Sequence, residues 1–248
     1  MLQIKHLSVT RGKQTILSDI CFSPRQGKIT ALLGKNGSGK TTLLSCINRL
    51  CPYSGDILLN GTSLSRLSPR ERARQIALFP QILPDTPLTV RELTDLGRNP
   101  HVGPDGRLSP RDHEAVVRAM TLAGISHLAD RPCNTLSGGE RQRAFLALLL
   151  AQDSPILLLD EPATFLDADA ARELYALIAS LARDHGKTVV AVMHDLSAAV
   201  SLADDILLLD SGHIAFSGDA RRCLDSGILQ STFSVSIHRC EDGNIFFR

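Results

Sequence analysis

Long apolar runs are missing from this sequence. The longest uninterrupted one, Ala144–Ala151, is far short of the roughly 20 residues needed to span a bilayer. The opening stretch, MLQIKHLSVTRGKQ, carries neither a basic-then-apolar leader pattern nor a small-residue cleavage site. The expectation is a chain that is neither transmembrane nor secreted. An excess of charge is missing too: 27 Lys and Arg stand against 26 Asp and Glu, a net charge of +1. No bulk field would draw such a protein to nucleic acid or to an anionic membrane. The six cysteines, Cys21, Cys46, Cys51, Cys133, Cys223 and Cys240, include no CxxC pair and no zinc-like spacing with histidine. They are expected to be reduced thiols rather than metal ligands or disulfides. Internal repeats and low-complexity segments are also lacking. What remains is a chain of 248 residues, 43% hydrophobic and 21% charged, the balance of one good-sized globular domain.

The rhythm along the chain is a short apolar run, a helix-like stretch, then another apolar run. Ile29–Leu33, Ile156–Leu159 and Val189–Met193 are near-continuous Val/Ile/Leu/Ala runs, as expected of strands buried on both faces. After the second, Asp167 can cap a helix whose face carries Leu166, Ala170, Leu174, Leu177, Ile178 and Leu181 before Gly186. This alternation predicts a mostly parallel α/β sheet with helices on both sides. Two stretches break it. Leu2–Val9 and Ile16–Phe22 read as antiparallel strands around a turn at Gly12. From about residue 85 to 150 a Pro- and Gly-rich beginning gives way to helix-like pieces at Thr89–Leu96 and Arg111–Ala123, read as a helical insertion. The core then comprises about 1–84 and 151–248. The tail adds strands at Asp204–Leu209 and His213–Phe216 and a helix at Asp219–Leu224.

Gly34-Lys35-Asn36-Gly37-Ser38-Gly39-Lys40-Thr41 fits G-x-x-x-x-G-K-[ST], directly after the strand Ile29–Leu33 and before the helix-like Thr42–Leu50. The placement matters chemically. Glycines let the backbone wrap so that its N–H groups point at a phosphate, and the helix start adds its dipole. Lys40 can reach the β/γ-phosphates as a compact point charge, and the Thr41 hydroxyl can ligate Mg²⁺. Only six of the 27 basic residues are lysine, and a rigid guanidinium fork would suit this position less well. An ordinary glycine-rich turn is the plain alternative, and the flanking strand and helix weigh against it. A nucleoside triphosphate site is expected.

Ligands of open parallel sheets bind beyond the carboxyl ends of the strands. Two more apolar strands end there on polar groups: Leu159 runs into Asp160-Glu161, and Met193 into His194. Asp160 is the candidate Mg²⁺ ligand, Glu161 the candidate acceptor of a proton from the attacking water, and His194 a hydrogen-bond donor to the γ-phosphate. A solvated loop start and a strand-end histidine are the bland alternatives, weakened by the phosphate loop in the same chain.

Leu136-Ser137-Gly138-Gly139-Glu140-Arg141-Gln142-Arg143 resembles the signature motif of ATP-binding cassette proteins, and the likeness extends over nearly the whole chain. It implies a RecA-like P-loop NTPase core with an N-terminal antiparallel β-subdomain and a helical subdomain. It implies ATP and Mg²⁺ as ligands, with Asn36, Ser38 and Thr42 joining the other phosphate-loop residues. It also implies a homodimer in which Ser137, Gly138 and Gly139 of one chain close on the γ-phosphate held by the other. Gln81, in Leu78-Phe79-Pro80-Gln81, matches the Q-loop glutamine that contacts Mg²⁺ and the attacking water. Asp167, in Ala163-Thr164-Phe165-Leu166-Asp167, matches the D-loop residue that crosses the dimer interface. Near Gln81–Pro87 the resemblance implies a groove for a permease helix, with a periplasmic or surface binding protein as an indirect partner and no nucleic acid. Location follows as peripheral, on the cytoplasmic face of the inner membrane.

Two departures stand out. The aromatic ring that the family places under adenine is replaced by Arg11, which either stacks on the base or is an exposed turn residue. Ala163 replaces a common Thr. Leu88-Thr89-Val90-Arg91-Glu92-Leu93 and Leu96-Gly97-Arg98-Asn99-Pro100-His101 are most similar to ATPases that import ferric siderophores, haem and cobalamin. Arg141–Ala147 and Gly186–Val192 lean towards the ferric citrate type. A soluble cassette ATPase with no transport role is the alternative from another class.

Overall fold

The computed structural model describes residues 1–103, 105–164, 166–239 and 245–247. In chain order the elements are β1 (Leu2–Arg11), β2 (Gln14–Phe22), β3 (Ile29–Leu33), α1 (Lys40–Ile47), β4 (Ser54–Leu59), β5 (Thr62–Ser63), α2 (Pro69–Ala73) and β6 (Ile76–Phe79). Then follow α3 (Val90–Leu96), α4 (Pro110–Leu122), α5 (Gly138–Ala151), β7 (Ile156–Asp160), α6 (Ala168–Arg183), β8 (Thr188–Val192) and α7 (Leu196–Leu202). The chain closes with β9 (Asp205–Asp210), β10 (His213–Asp219), α8 (Ala220–Asp225), α9 (Ile228–Phe233), β11 (Ile237–Arg239) and β12 (Ile245–Phe247).

Six strands form one sheet in the order β10-β9-β3-β8-β7-β6. All its neighbours run parallel except β10 against β9. Each central strand is apolar on both faces because the sheet is covered on both. Ile29, Ala31 and Leu33 join the core that contains α3, α4 and α5, whereas Leu32 joins the core that contains α1. β7 divides in the same way, with Leu157 and Leu159 on one side and Leu158 on the other. That is why the sequence runs there show no polar alternation. The second core is roofed by the antiparallel sheet β2-β1-β4-β5, whose Leu7, Leu17, Ile20 and Ile57 pack above Leu43, Leu44 and Ile47 of α1.

The predicted helices begin where their caps dictate. Asp167 accepts a bond from the Ala170 amide at the start of α6, and Thr89, Ser109 and Ser137 each form a capping box with an acid three residues on. α1 stops at Ile47 instead of Leu50, because Arg49 turns left-handed. β8 ends at Val192, so Met193 and His194 belong to the loop.

Helices α3, α4 and α5 are pinned together by one buried ion pair. Arg98 Nε donates to Asp112 Oδ1 at 2.9 Å, and its Nη1 donates to the Ala151 carbonyl at 2.5 Å. Asp112 Oδ2 also accepts from the Ser109 hydroxyl and amide at 2.6 and 2.9 Å. The end of α3, the start of α4 and the end of α5 therefore meet at side chains only 9% and 8% exposed. The Ser109 bonds, aided by Arg98 and opposed by burial, hold the Asp112 carboxyl down at about 2. A carboxyl lowered on folding stabilises above its unfolded value and loses that contribution as pH falls through its folded one. Arg98→Ala should therefore cost about 3 kcal/mol of unfolding free energy in a urea titration, because it strands a buried carboxylate. Asp112→Asn should flatten the part of the acid limb between about pH 4 and the folded value. An unchanged midpoint and acid limb would exclude this role for the pair.

Candidate functional site

β3, β8 and β7 are consecutive neighbours in the sheet, so the loops leaving their carboxyl ends lie side by side. They border a cleft of about 540 Å³. Asn36, Gly37, Gly39, Lys40, Thr41 and Thr42 line it together with Gln81, Glu161 and His194. Arg11 reaches it from the first hairpin. β6 lies on the far side of β7 and ends two residues before Gln81, which places that glutamine at the same end of the sheet.

The phosphate loop is fixed by space as well as by conformation. At Gly34, with φ at +150°, a Cβ would sit 2.4 Å from both the Leu209 carbonyl and Ser38 Oγ. At Gly39, with φ at +102°, it would meet Leu17 Cδ2 at 2.5 Å, so neither position accepts a side chain. The loop wraps around Lys40, whose Nζ donates to the carbonyls of Gly34 at 2.8 Å and Lys35 at 3.1 Å. Burial lowers the Lys40 pKa, against the pull of the Glu161 and Asp160 carboxylates. Ser38 Oγ is buried with no hydrogen-bond partner among the described residues. A loop holding a buried ammonium and an unpaired hydroxyl is suited to receive anionic oxygens.

Thr41 Oγ1 donates to Asp160 Oδ1 at 3.2 Å. Burial, with the neighbouring Glu161 charge, raises the Asp160 carboxyl despite opposing contributions from Thr41, Lys40 and His194. A hydroxyl and a desolvated carboxylate side by side form a hard oxygen pair of the kind that suits Mg²⁺.

Glu161 occupies the left-handed region, with φ at +52°, a costly conformation that marks functional turns. Its Oε1 lies 2.6 Å from His194 Nε2, and its Oε2 accepts from the Thr164 hydroxyl at 3.1 Å. Burial pushes this carboxyl up, but His194, Thr164 and Gln81 outweigh it and leave it below its usual value. It is thus an ionised acceptor at neutral pH. His194 faces Glu161 directly, a contact that the sequence reading, which aimed it at phosphate, did not contain.

Ser137, Gly138, Gly139 and Asp167 are not among the residues lining the cleft. The Ser137 amide and hydroxyl both donate to Glu140 Oε2 at 2.8 Å, so a carboxylate of the same chain already caps α5. These bonds hold the Glu140 carboxyl below its usual value. Asp167 Oδ1 is likewise engaged by the Ala170 amide at 2.8 Å. Phe165 of the D-loop stretch and Cys240 lie outside the described residues.

Several residues escaped the sequence reading. Gln14 and Ile16 line the cleft from β2, and their position across the hairpin from Arg11 was the available signal. Arg11 itself ends β1 and pairs with Gln14, so it belongs to the strand and not to the turn. Thr164 touches Glu161, and its carbonyl accepts from Gln142 Nε2 at 2.7 Å. That bond ties α5 to the loop after β7, and no local pattern announces it.

The ABC transporter family model matches residues 17–164. The achromobactin transport ATP-binding protein CbrD of Dickeya dadantii (strain 3937) is 38% identical over 234 residues, covering 93% of this chain and 87% of the relative. The hemin import ATP-binding protein HmuV of Nocardia farcinica (strain IFM 10152) is 41% identical over 222 residues, covering 88% and 75%. Among solved structures, a dimeric post-hydrolysis state of the ATP-binding cassette MJ0796 with ADP and Pi superposes with a TM-score of 0.79. It shares 26% identity, over 89% of this chain and 99% of that one. An inward-facing metal-chelate type ABC transporter superposes with a TM-score of 0.84 at 25% identity, over 100% of this chain and 95% of that one.

Two titrations with a fluorescent ATP analogue check the cleft. Lys40→Ala should lose saturable binding, and tight binding in that variant would contradict the role of the loop. Arg11→Ala should weaken affinity by about 1 kcal/mol if the guanidinium stacks on the base; an unchanged affinity would rule stacking out.

Proposed function

The chain belongs to the ABC transporter family, and on that premise we propose that it is the ATP-hydrolysing subunit of a bacterial importer of ferric siderophores, of the ferric citrate type. The observation that carries the ATPase part is the convergence of Lys40, Thr41, Glu161 and His194 on one cleft, with Asp160 buried behind it against Thr41. ATP would lie along the phosphate loop with its β- and γ-phosphates at Lys40 and its base towards Arg11. Thr41, Asp160 and Gln81 would hold Mg²⁺, which supplies neutralisation of phosphate charge when bound.

In the hydrolytic step, water attacks the γ-phosphorus in line with the departing ADP oxygen. A P–O bond forms as another breaks, and the water's proton passes to Glu161. Thr164 and His194 each engage one of the two carboxylate oxygens, which fixes the direction in which the group faces. Catalysis of this kind depends on positioning and electrostatics more than on covalent chemistry.

A homodimer would complete each cleft with Ser137, Gly138 and Gly139 of the partner subunit. The dimeric MJ0796 cassette supports that reading. A permease would dock beside Gln81, where Ile82 is 82% exposed. No helix among the described residues is long and apolar enough to cross a membrane, in keeping with a subunit held at the cytoplasmic face by its permease. The achromobactin of CbrD favours siderophore cargo and the hemin of HmuV, as a second reading, haem.

The test is uptake of labelled ferric citrate, other ferric siderophores and haem in cells lacking this gene, complemented with wild type or Glu161→Gln. Wild type should restore uptake of one chelate. Glu161→Gln should restore none, while the purified variant binds ATP with a turnover lowered by at least about a hundredfold. Undiminished uptake of every chelate in the deleted strain, with no redundant importer present, would overturn the cargo assignment. A fully active Glu161→Gln would remove Glu161 from the base role.

A further inference from the structure

The geometry points to a metal site of the zinc type on the exposed edge of the first hairpin, held by His6, Asp19 and Cys21. None of the three lines the nucleotide cleft. His6 lies on β1, and Asp19 and Cys21 lie on β2, the edge strand of its sheet. His6 Nδ1 is 2.7 Å from Asp19 Oδ1 and 3.7 Å from Cys21 Sγ. The three donor atoms lie within 4.8 Å of one another. Donors bound tetrahedrally to Zn²⁺ stand roughly 3.5 Å apart, so only small side-chain rotations separate this arrangement from a coordination sphere.

The chemistry of the donors narrows the cation. One nitrogen, one carboxylate oxygen and one sulfur suit Zn²⁺ or a similar divalent transition metal, whereas Mg²⁺ and Ca²⁺ prefer oxygen throughout. On binding, His6 ligates through Nδ1 as the neutral ring that carries its proton on Nε2, the cation takes the place of the contact with Asp19, and the Cys21 thiol gives its proton to solvent. The side chains of His6 and Asp19 are 77% and 71% exposed. Water therefore fills the fourth position, as in other three-ligand zinc sites.

The backbone holds the three donors together without help from a ligand. His6 and Asp19 both have left-handed φ, at +51° and +53°, which is uncommon for residues other than glycine. The buried side chains of Ile4, Leu7, Ile20 and Phe22 on either side anchor both bends. The His6 amide donates to Cys21 Sγ at 3.2 Å, and the Asp19 amide donates to Ser8 Oγ at 2.9 Å. An exposed His–Asp pair contributes little to stability, so its variants should fold. The spacing 6, 19, 21 resembles no zinc motif; only the hairpin register brings the donors together.

Co²⁺ serves as the spectroscopic probe, added to the full chain after removal of any affinity tag. Wild type should bind one ion per chain with a thiolate-to-cobalt charge-transfer band, and Zn²⁺ should bleach it. Cys21→Ser should lose the band, and His6→Ala and Asp19→Asn should shift its saturation to higher Co²⁺. Cys51→Ser should keep the band, which separates this site from the Cys46–Cys51 pair, whose sulfurs lie 2.9 Å apart. ATP hydrolysis by Cys21→Ser should match wild type, showing that the variant is folded. A wild-type protein without a saturable band, a band that survives Cys21→Ser, or one that disappears in Cys51→Ser would overturn the assignment.

Discussion

A single buried ammonium organises the centre of this protein. Lys40 is 6% exposed, and a cation removed from water needs partners nearby. The carbonyls of Gly34 and Lys35 provide them directly, and the Asp160 and Glu161 carboxylates provide them through space. To turn those carbonyls inward, the loop must pass through backbone conformations and spaces that admit only glycine at 34 and 39. To bring the carboxylates within reach, β7 must lie close to β3, which the order β3-β8-β7 achieves with only β8 between them. The sheet topology, the glycines and the acidic loop all answer to the burial of one charge.

Much of this was legible because it is local. The phosphate loop, the two-sided apolar strands and the cap at Asp167 depend on residues a few positions apart, and each lies where the sequence places it. The segment from Cys51 to Phe79 was not legible. β4 shows three apolar residues after three exposed ones, β5 is two residues long, and β6 is only Ile-Ala-Leu-Phe. β4 pairs with β1 and β6 with β7, and both pairings bridge distant parts of the chain. The contact of His194 with Glu161 and the bond from Gln142 to the Thr164 carbonyl were hidden for the same reason. A spacing pattern carries no information about which loops a sheet order brings face to face.

The tie from Gln142 through Thr164 to Glu161 gives the helices α3 to α5 a mechanical route to the Glu161 carboxylate. α5 begins at the signature residues and runs beneath the loop that carries the carboxylate. The other end of α5 is fastened by Arg98 to α3 and α4. A displacement of the insertion by a docked permease would therefore reach Glu161 through hydrogen bonds. In the proposed dimer the same helix presents Ser137 to the nucleotide of the partner subunit, so one rigid element would serve two sites.

Mixing two inactive variants tests that shared use of α5. Lys40→Ala lacks a working phosphate loop but keeps its signature residues, and Ser137→Arg has the reverse defect. Each should hydrolyse almost no ATP alone, and their mixture should regain activity, because every heterodimer rebuilds one complete cleft. Wild-type hydrolysis by Ser137→Arg alone, or a mixture that forms heterodimers yet stays inactive, would contradict it.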